Sequence, residues 1–338
     1  MTRPVRPFSA LSWTPGLAGI FGEAMSAIGR LDARISASPV AEAWRFRASW
    51  YGYATALRLQ RYEIDEIDVF SHTTQFAIAG RKPVATAQGP FEAYPNWLLS
   101  LQQRNQLHWR EGLPFSFDPP DSWSEAPRLI RALTLLDVWS RKDESLDAWL
   151  AFPHLLARLE LTETPLPCLV VGDSALRTLF GPRERQLKRL LTALRNSSSE
   201  GLLRLERLEK WRLSLAAALA DERRPGLLPE LGRLALVRPL MSARSVSDAL
   251  EITLSGAGKL LARAASKGLL VEVSGRASWR VYVTPDIGLA LGMINPARGR
   301  PPSPPRPSTR LDAVLEKFDR EMVAIDSILG RDTSVSSD

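Results

Sequence analysis

Cysteine is nearly absent from this chain. Cys168 is the only one in 338 residues, so no intrachain disulfide can form, and a reducing, cytoplasmic setting is expected. It sits in the apolar stretch Leu166–Val171, which predicts a small core residue rather than a nucleophile. Histidine is almost as scarce. His72, His108 and His154 are scattered, and none has a second His, Cys or carboxylate at the close spacing of a zinc site. A Gly-rich phosphate loop, a nucleophile elbow and a paired-carboxylate signature are all missing. Nothing in the sequence therefore argues for an enzyme, a metal or another cofactor. Val171-Gly172-Asp173-Ser174 invites an active-site reading but is better explained as a strand or loop end followed by a helix N-cap. No apolar run approaches the ~20 residues that cross a bilayer, so no membrane span is expected. The first sixteen residues lack the continuous apolar core of a signal peptide.

What is present is an ordinary globular composition with a basic bias. The chain is 45% hydrophobic and 24% charged, with a formal net charge of +7. Its length allows two domains and a sizeable core, and the positive balance favours an acidic partner such as nucleic acid. Helical spacing dominates. Residues 1–16, with three prolines and no acids, read as a disordered arm. Leu17, Ile20, Phe21, Ala24, Met25, Ile28, Leu31 and Ile35 mark a first helix, and a second follows over about 39–59. Helices are expected again near Trp97 and over about 124–140, 143–160, 183–196 and 200–221, with Ser197-Ser198-Ser199 separating the last two. The fold class is mainly α. An all-helical domain of unknown function spans 17–225 and ends near Arg224-Pro225-Gly226. Nine of the ten tryptophans precede that point, and packing explains them best.

Residues 226–292 read differently. Ser245–Val283 follows the order short helix, turn, helix, two-stranded hairpin, which is the grammar of a winged helix-turn-helix. Ser245 with Asp248 predicts a capping box for the first helix, and Ser255 an N-cap for the second. Ala257, Leu260, Leu261 and Ala264 form the buried face of that second helix, and Gly268 is its stop. Leu269–Val273 reads as a strand, Ser274-Gly275-Arg276 as a turn, and Trp279, Val281 and Val283 as the inward positions of a returning strand. Trp279 is thus expected to anchor the wing near Leu261 and Ala264. On the other side, Ser255, Gly256, Lys259 and Arg263 avoid the apolar face, and Arg276 and Arg280 add charge on the hairpin. These six are the candidate DNA-binding residues, with the four cations expected to form one continuous face. Between Leu227 and Thr284 eight Lys/Arg stand against four acids, a plausible phosphate-binding footprint. Gly256 and Gly258 leave the reading helix poor in side chains that can distinguish bases.

Residues 293–308 form a Pro/Arg-rich linker, stiff and extended. A C-terminal helix over 309–330 carries the stripe Leu311, Val314, Leu315, Phe318, Met322, Ile325 and Leu329, followed by a disordered tail at 331–338. That stripe suits either homodimerisation or packing back within the chain.

The sequence also resembles a bacterial family, often plasmid-borne in α-proteobacteria, that pairs a helical N-terminal domain of unknown function with a C-terminal helix-turn-helix DNA-binding domain. The likeness rests on Ser38-Pro39 with Trp44 and Arg47, Leu57-Arg58-Leu59, Ile64–His72, Val237–Ser242, Leu250–Thr253, Gly268–Arg276 and Trp279-Arg280. It covers most of 17–330 and implies the fold and DNA binding, with transcriptional regulation as the expected role. In outline the chain also resembles bacterial Fic proteins, which transfer AMP. Their motif, a His followed by an acid and a Gly-Asn-Gly-Arg anion cradle, is absent here, so the resemblance implies no such activity. The alternatives to DNA binding are a winged helix that docks a protein and, more remotely, an enzyme with an unrecognised site in the helical domain.

Overall fold

A computed structural model of the chain describes residues 6–76, 89–103, 108–178, 181–275, 279–296 and 309–328. These fall into two compact units, 1–205 and 206–338. The division lies some twenty residues before the expected boundary at 225, inside a helix.

The first unit is helical: α1 (Pro15–Ser36), α2 (Ala41–Leu59), α3 (Glu66–Thr74), α4 (Tyr94–Gln102), α5 (Arg128–Lys142), α6 (Asp147–Arg158), the short α7 (Ala175–Thr178) and the beginning of α8 (Arg183–Ala220). At its centre is α2. Trp44, Trp50, Tyr53, Ala54 and Leu57 bury most of its circumference, the mark of a helix enclosed by its neighbours. It packs against α3, α4, α6 and a 3₁₀ turn at Pro167–Leu169. Two glycines let that turn come close. A Cβ on Gly52 of α2 would lie 2.1 Å from the Pro167 carbonyl oxygen, and one on Gly201 of α8 would lie 2.8 Å from Cys168 Sγ. Cys168 is fully buried, and burial pushes its thiol pKa up to about 12.

Two expectations are corrected here, and one helix is added. Residues 6–14 are built into the unit rather than forming a disordered arm. Phe8 is buried in a 3₁₀ turn at Phe8–Ala10, and Thr14 caps α1 by accepting from the Leu17 N–H. The helix α3 goes unread in the sequence because it is short. It is started by a reciprocal capping box between Asp65 and Asp68. Finally, the serine triplet does not interrupt α8. Ser198 and Ser199 donate to the carbonyls of Leu194 and Arg195, four residues back, so their hydroxyls are satisfied without leaving the helix.

Buried charge ties these elements together. The Asp137 carboxylate of α5 is wholly enclosed and accepts from Arg183 at 3.0 and 2.6 Å and from Arg141 at 2.7 Å. The Arg183 guanidinium also lies 4.1 Å from the Phe8 ring centroid and donates to the Arg6 carbonyl, which secures the N-terminal segment. Further along α8, Arg204 forks onto Glu66 at 2.5 and 2.9 Å and reaches Glu200 at 2.8 Å.

The second unit takes the last turns of α8 and adds α9 (Leu228–Val237), β1 (Leu240–Ser242), α10 (Ala243–Leu250), α11 (Leu254–Ser266), β2 (Val271–Glu272), β3 (Val281–Val283), α12 (Pro285–Ala290) and α13 (Thr309–Ile328). Its sheet has three strands in the order β1-β3-β2, both pairings antiparallel, with Leu240 opposite Val283 and Val271 also opposite Val283. The expected hairpin has only two strands. At three residues directly behind Pro239, β1 is too short to show alternation. The α8 residues join this core because Trp211 is buried and its indole N–H donates to the Leu269 carbonyl at 2.8 Å. This is why the division falls before residue 206. On α13, Phe318 is buried and Asp319 receives Arg212 of α8 at 3.0 and 2.5 Å. Residues 297–308 and 329–338, and the side chains of Leu311, Met322 and Ile325, lie outside the described part. So most of the linker, the tail and much of the expected stripe do as well.

The enclosed Asp137 generates a first test. Asp137→Ala leaves two half-buried guanidiniums without their enclosed counter-charge and is expected to lower stability by about 3–5 kcal/mol. The measurement is the urea midpoint by far-UV circular dichroism. A change below about 1 kcal/mol would show that the network is only a surface ornament.

Candidate nucleic-acid interface

The site expected from sequence lies on α11 and the hairpin, with α10 as the partner helix. The two helices pack on each other, and α9 contacts both. Their caps differ from expectation. Ser242, not Ser245, caps α10, with Ser245 serving as the third residue of the capping box. Thr253, not Ser255, caps α11 by accepting from Gly256 N at 3.1 Å. Several hydroxyls stand close together at both starts, and the backbone decides which of them turns inward. Glu251 ends α10 at φ 53° in the left-handed region, a residue type that sequence reading does not anticipate there. The stop at Gly268, with φ 71°, is as expected.

The inward face of α11 is the expected one: Ala257, Leu260, Leu261 and Ala264 are buried. Opposite it, Ser255, Lys259, Ala262 and Ser266 are exposed, a stripe of mostly small side chains at helical spacing. Leu254, at the first position of the helix, is 59% exposed. Gly256 is half-buried beside the Thr253 hydroxyl.

The candidate cations do not form a single set. Lys259 and Arg280 are exposed, and so are Arg238 and Arg244. Arg263 is drawn elsewhere. Its guanidinium pairs with Glu222 and donates to the carbonyls of Pro225 at 3.3 Å and Arg224 at 3.1 Å. Lys267, one turn later, reaches the same carboxylate at 2.7 Å. Two cations four residues apart thus clamp α11 to the segment between α8 and α9. Hydrogen bonds from Lys267 and Arg263 hold the Glu222 pKa below the ordinary glutamate value. Arg276 lies outside the described residues.

Trp279 is where the expectation fails. It is 78% exposed, the most exposed large apolar side chain of the described residues, and its φ is 60°. The left-handed backbone breaks the alternation before β3 begins, so the indole does not follow Val283 into the core. The buried aromatic of the sheet is Tyr282. Holding a bulky L-residue in this region costs of order 1–3 kcal/mol.

In the first unit, the pair most suggestive of chemistry is Ser100 Oγ with His154 Nε2, 3.1 Å apart. Burial, with Arg158 nearby, pushes the His154 pKa down to about 4. An imidazole so placed resists the positive charge a general base must take up. Ser100 also donates to the Trp97 carbonyl at 2.7 Å. Among the described residues no three His, Cys, Asp or Glu are gathered so as to hold a metal ion, and no helix is long and apolar enough to cross a membrane.

Compared with known proteins, the chain matches no protein-family model and no curated protein.

Two tests follow from this geometry. Glu222 titrates below its ordinary value of 4.5 in the folded state, so the clamp contributes stability that is complete above that value and is lost as pH falls through the folded one. Glu222→Gln is expected to flatten the fall in stability between about pH 5 and 3, read from melting temperatures across that range. An unchanged profile would remove Glu222 from the account. Trp279→Ala, in contrast to a core truncation, is expected to shift unfolding by no more than about 0.5 kcal/mol. A loss of about 3 kcal/mol would return the indole to the core.

Proposed function

We propose that the second unit is a winged helix-turn-helix that binds duplex DNA, and that the chain acts as a transcriptional regulator. The observation that carries this reading is the succession α9, β1, α10, α11, β2, β3 with the sheet ordered β1-β3-β2. In this reading α11 is the helix that enters the major groove, and β2 with β3 is the wing. The exposed Ser255, Lys259, Ala262 and Ser266 let a backbone approach closely, while Lys259, Arg244 and Arg280 supply phosphate contacts. Arg263 takes a positioning role, fixing α11 through Glu222. Small side chains on the presented stripe favour affinity over base discrimination.

A second reading has its own observation. Leu254 and Trp279 are exposed large apolar side chains, and such a side chain can anchor a winged helix on a protein. For assembly, the engagement of Phe318 and Asp319 within the unit supports α13 as an internal brace rather than a two-fold seam.

Fluorescence anisotropy with a labelled duplex over a salt series tests the proposal. Binding is expected to weaken steeply with salt through counterion release, and Lys259→Ala to lower affinity evenly across sequences while reducing the logarithmic salt slope by about one. Arg263→Ala is expected to lower the melting temperature more than the slope. Absence of duplex binding at low salt, or binding indifferent to salt, would overturn the DNA reading in favour of protein docking.

A further inference from the structure

The wing carries a feature that packing does not account for. In an extended strand Trp279 would share a side with Val281 and Val283, and Val283 is completely buried. The left-handed backbone at Trp279 instead turns the indole into solvent. Strained backbone holding a large apolar group outward is a device seen where that group acts on something else.

The base beneath it is firm. The Val273 N–H donates to the Val281 carbonyl at 2.9 Å, and the Val281 N–H donates to Ser274 Oγ at 3.2 Å. Glu272 Oε1 accepts from the N–H groups of Ser274 at 2.8 Å and Gly275 at 3.0 Å, and from the Ser274 hydroxyl. The acid of this hairpin is bonded to its own turn and also feels the charge of Arg280, which directly follows the indole and is exposed. The described residue next to Trp279 in the chain is the exposed cation Arg280. A protein pocket would call for an apolar rim around the anchor. A single flat ring beside a cation instead matches the slot between two base pairs lined by phosphates.

We propose that Trp279 is an apolar wedge, which the wing inserts between stacked base pairs in the minor groove while Arg280 meets the adjacent backbone. This rests on the DNA-binding reading above and adds to it a deformation of the duplex. Wedges of this kind unstack one step and kink the helix by about 20–90°, most readily at pyrimidine–purine steps. Recognition would then come from deformability as well as from base edges, which fits a reading helix poor in discriminating side chains.

The test uses the full chain and a duplex of about 30 base pairs with central TA steps, carrying a donor and acceptor dye at its ends. A second copy carries 2-aminopurine at one central step. Saturating wild-type protein is expected to shorten the end-to-end distance and raise 2-aminopurine emission. Trp279→Ala is expected to abolish both signals and weaken binding several-fold, with circular dichroism and melting unchanged. Trp279→Phe is expected to retain them in part. Lys259→Ala is expected to weaken binding yet bend the duplex fully once saturated. Wild-type binding without bending or emission change would overturn the wedge and leave the DNA-binding reading standing, without recourse to any variant. Bending by Trp279→Ala equal to wild type would do the same. Failure of the wild type to bind the duplex at low salt would overturn both.

Discussion

One helix must satisfy two cores, and most of the architecture answers to that constraint. Residues 183–220 are helical throughout; Arg183 and Arg204 belong to the first unit, and Trp211 and Arg212 to the second. A helix with such demands needs its polar groups answered wherever they are enclosed. Arg183 finds Asp137, Arg204 finds Glu66, Trp211 finds the Leu269 carbonyl, and Arg212 finds Asp319. Each partner comes from an element distant in sequence.

The same logic explains what could be read from sequence. Apolar spacing reveals α1, α2, α5 and α6 to within a few residues, because each buries a face wide enough to dominate its pattern. It also reveals the inward side of α11. It does not reveal that Ser197–Ser199 remains helical, because three serines are as compatible with a break as with hydroxyls bonded back to carbonyls. Nor does it reveal β1, whose three residues owe their strand state to pairing with β3 rather than to any local preference.

The candidate interface was half legible for a related reason. Spacing on a helix tells which residues share a side, and Lys259 and Arg263 do lie four apart. It does not tell which of two cations meets an acid arriving from elsewhere. Glu222, thirty-seven positions before Lys259, decides that by holding Arg263 and Lys267. The pattern Trp279, Val281, Val283 likewise predicts a common side only while the backbone stays extended, and one left-handed residue cancels it. In both cases the missing information is a tertiary contact or a dihedral angle, neither of which composition encodes.

The two glycines that face the Pro167–Leu169 turn have a consequence for mutational tolerance. Helix propensity alone would recommend alanine at every helical glycine, each exchange worth roughly 0.5–1 kcal/mol. Gly19, Gly22 and Gly29 of α1 face open space and can accept it. At Gly52 the added methyl would meet a backbone oxygen, and at Gly201 the buried sulfur of Cys168, so the same exchange would force apart the turn on which α2 and α8 close. A scan of this chain would therefore find some of its least replaceable positions in mid-helix, at residues with no side chain, and far from any surface that meets a partner.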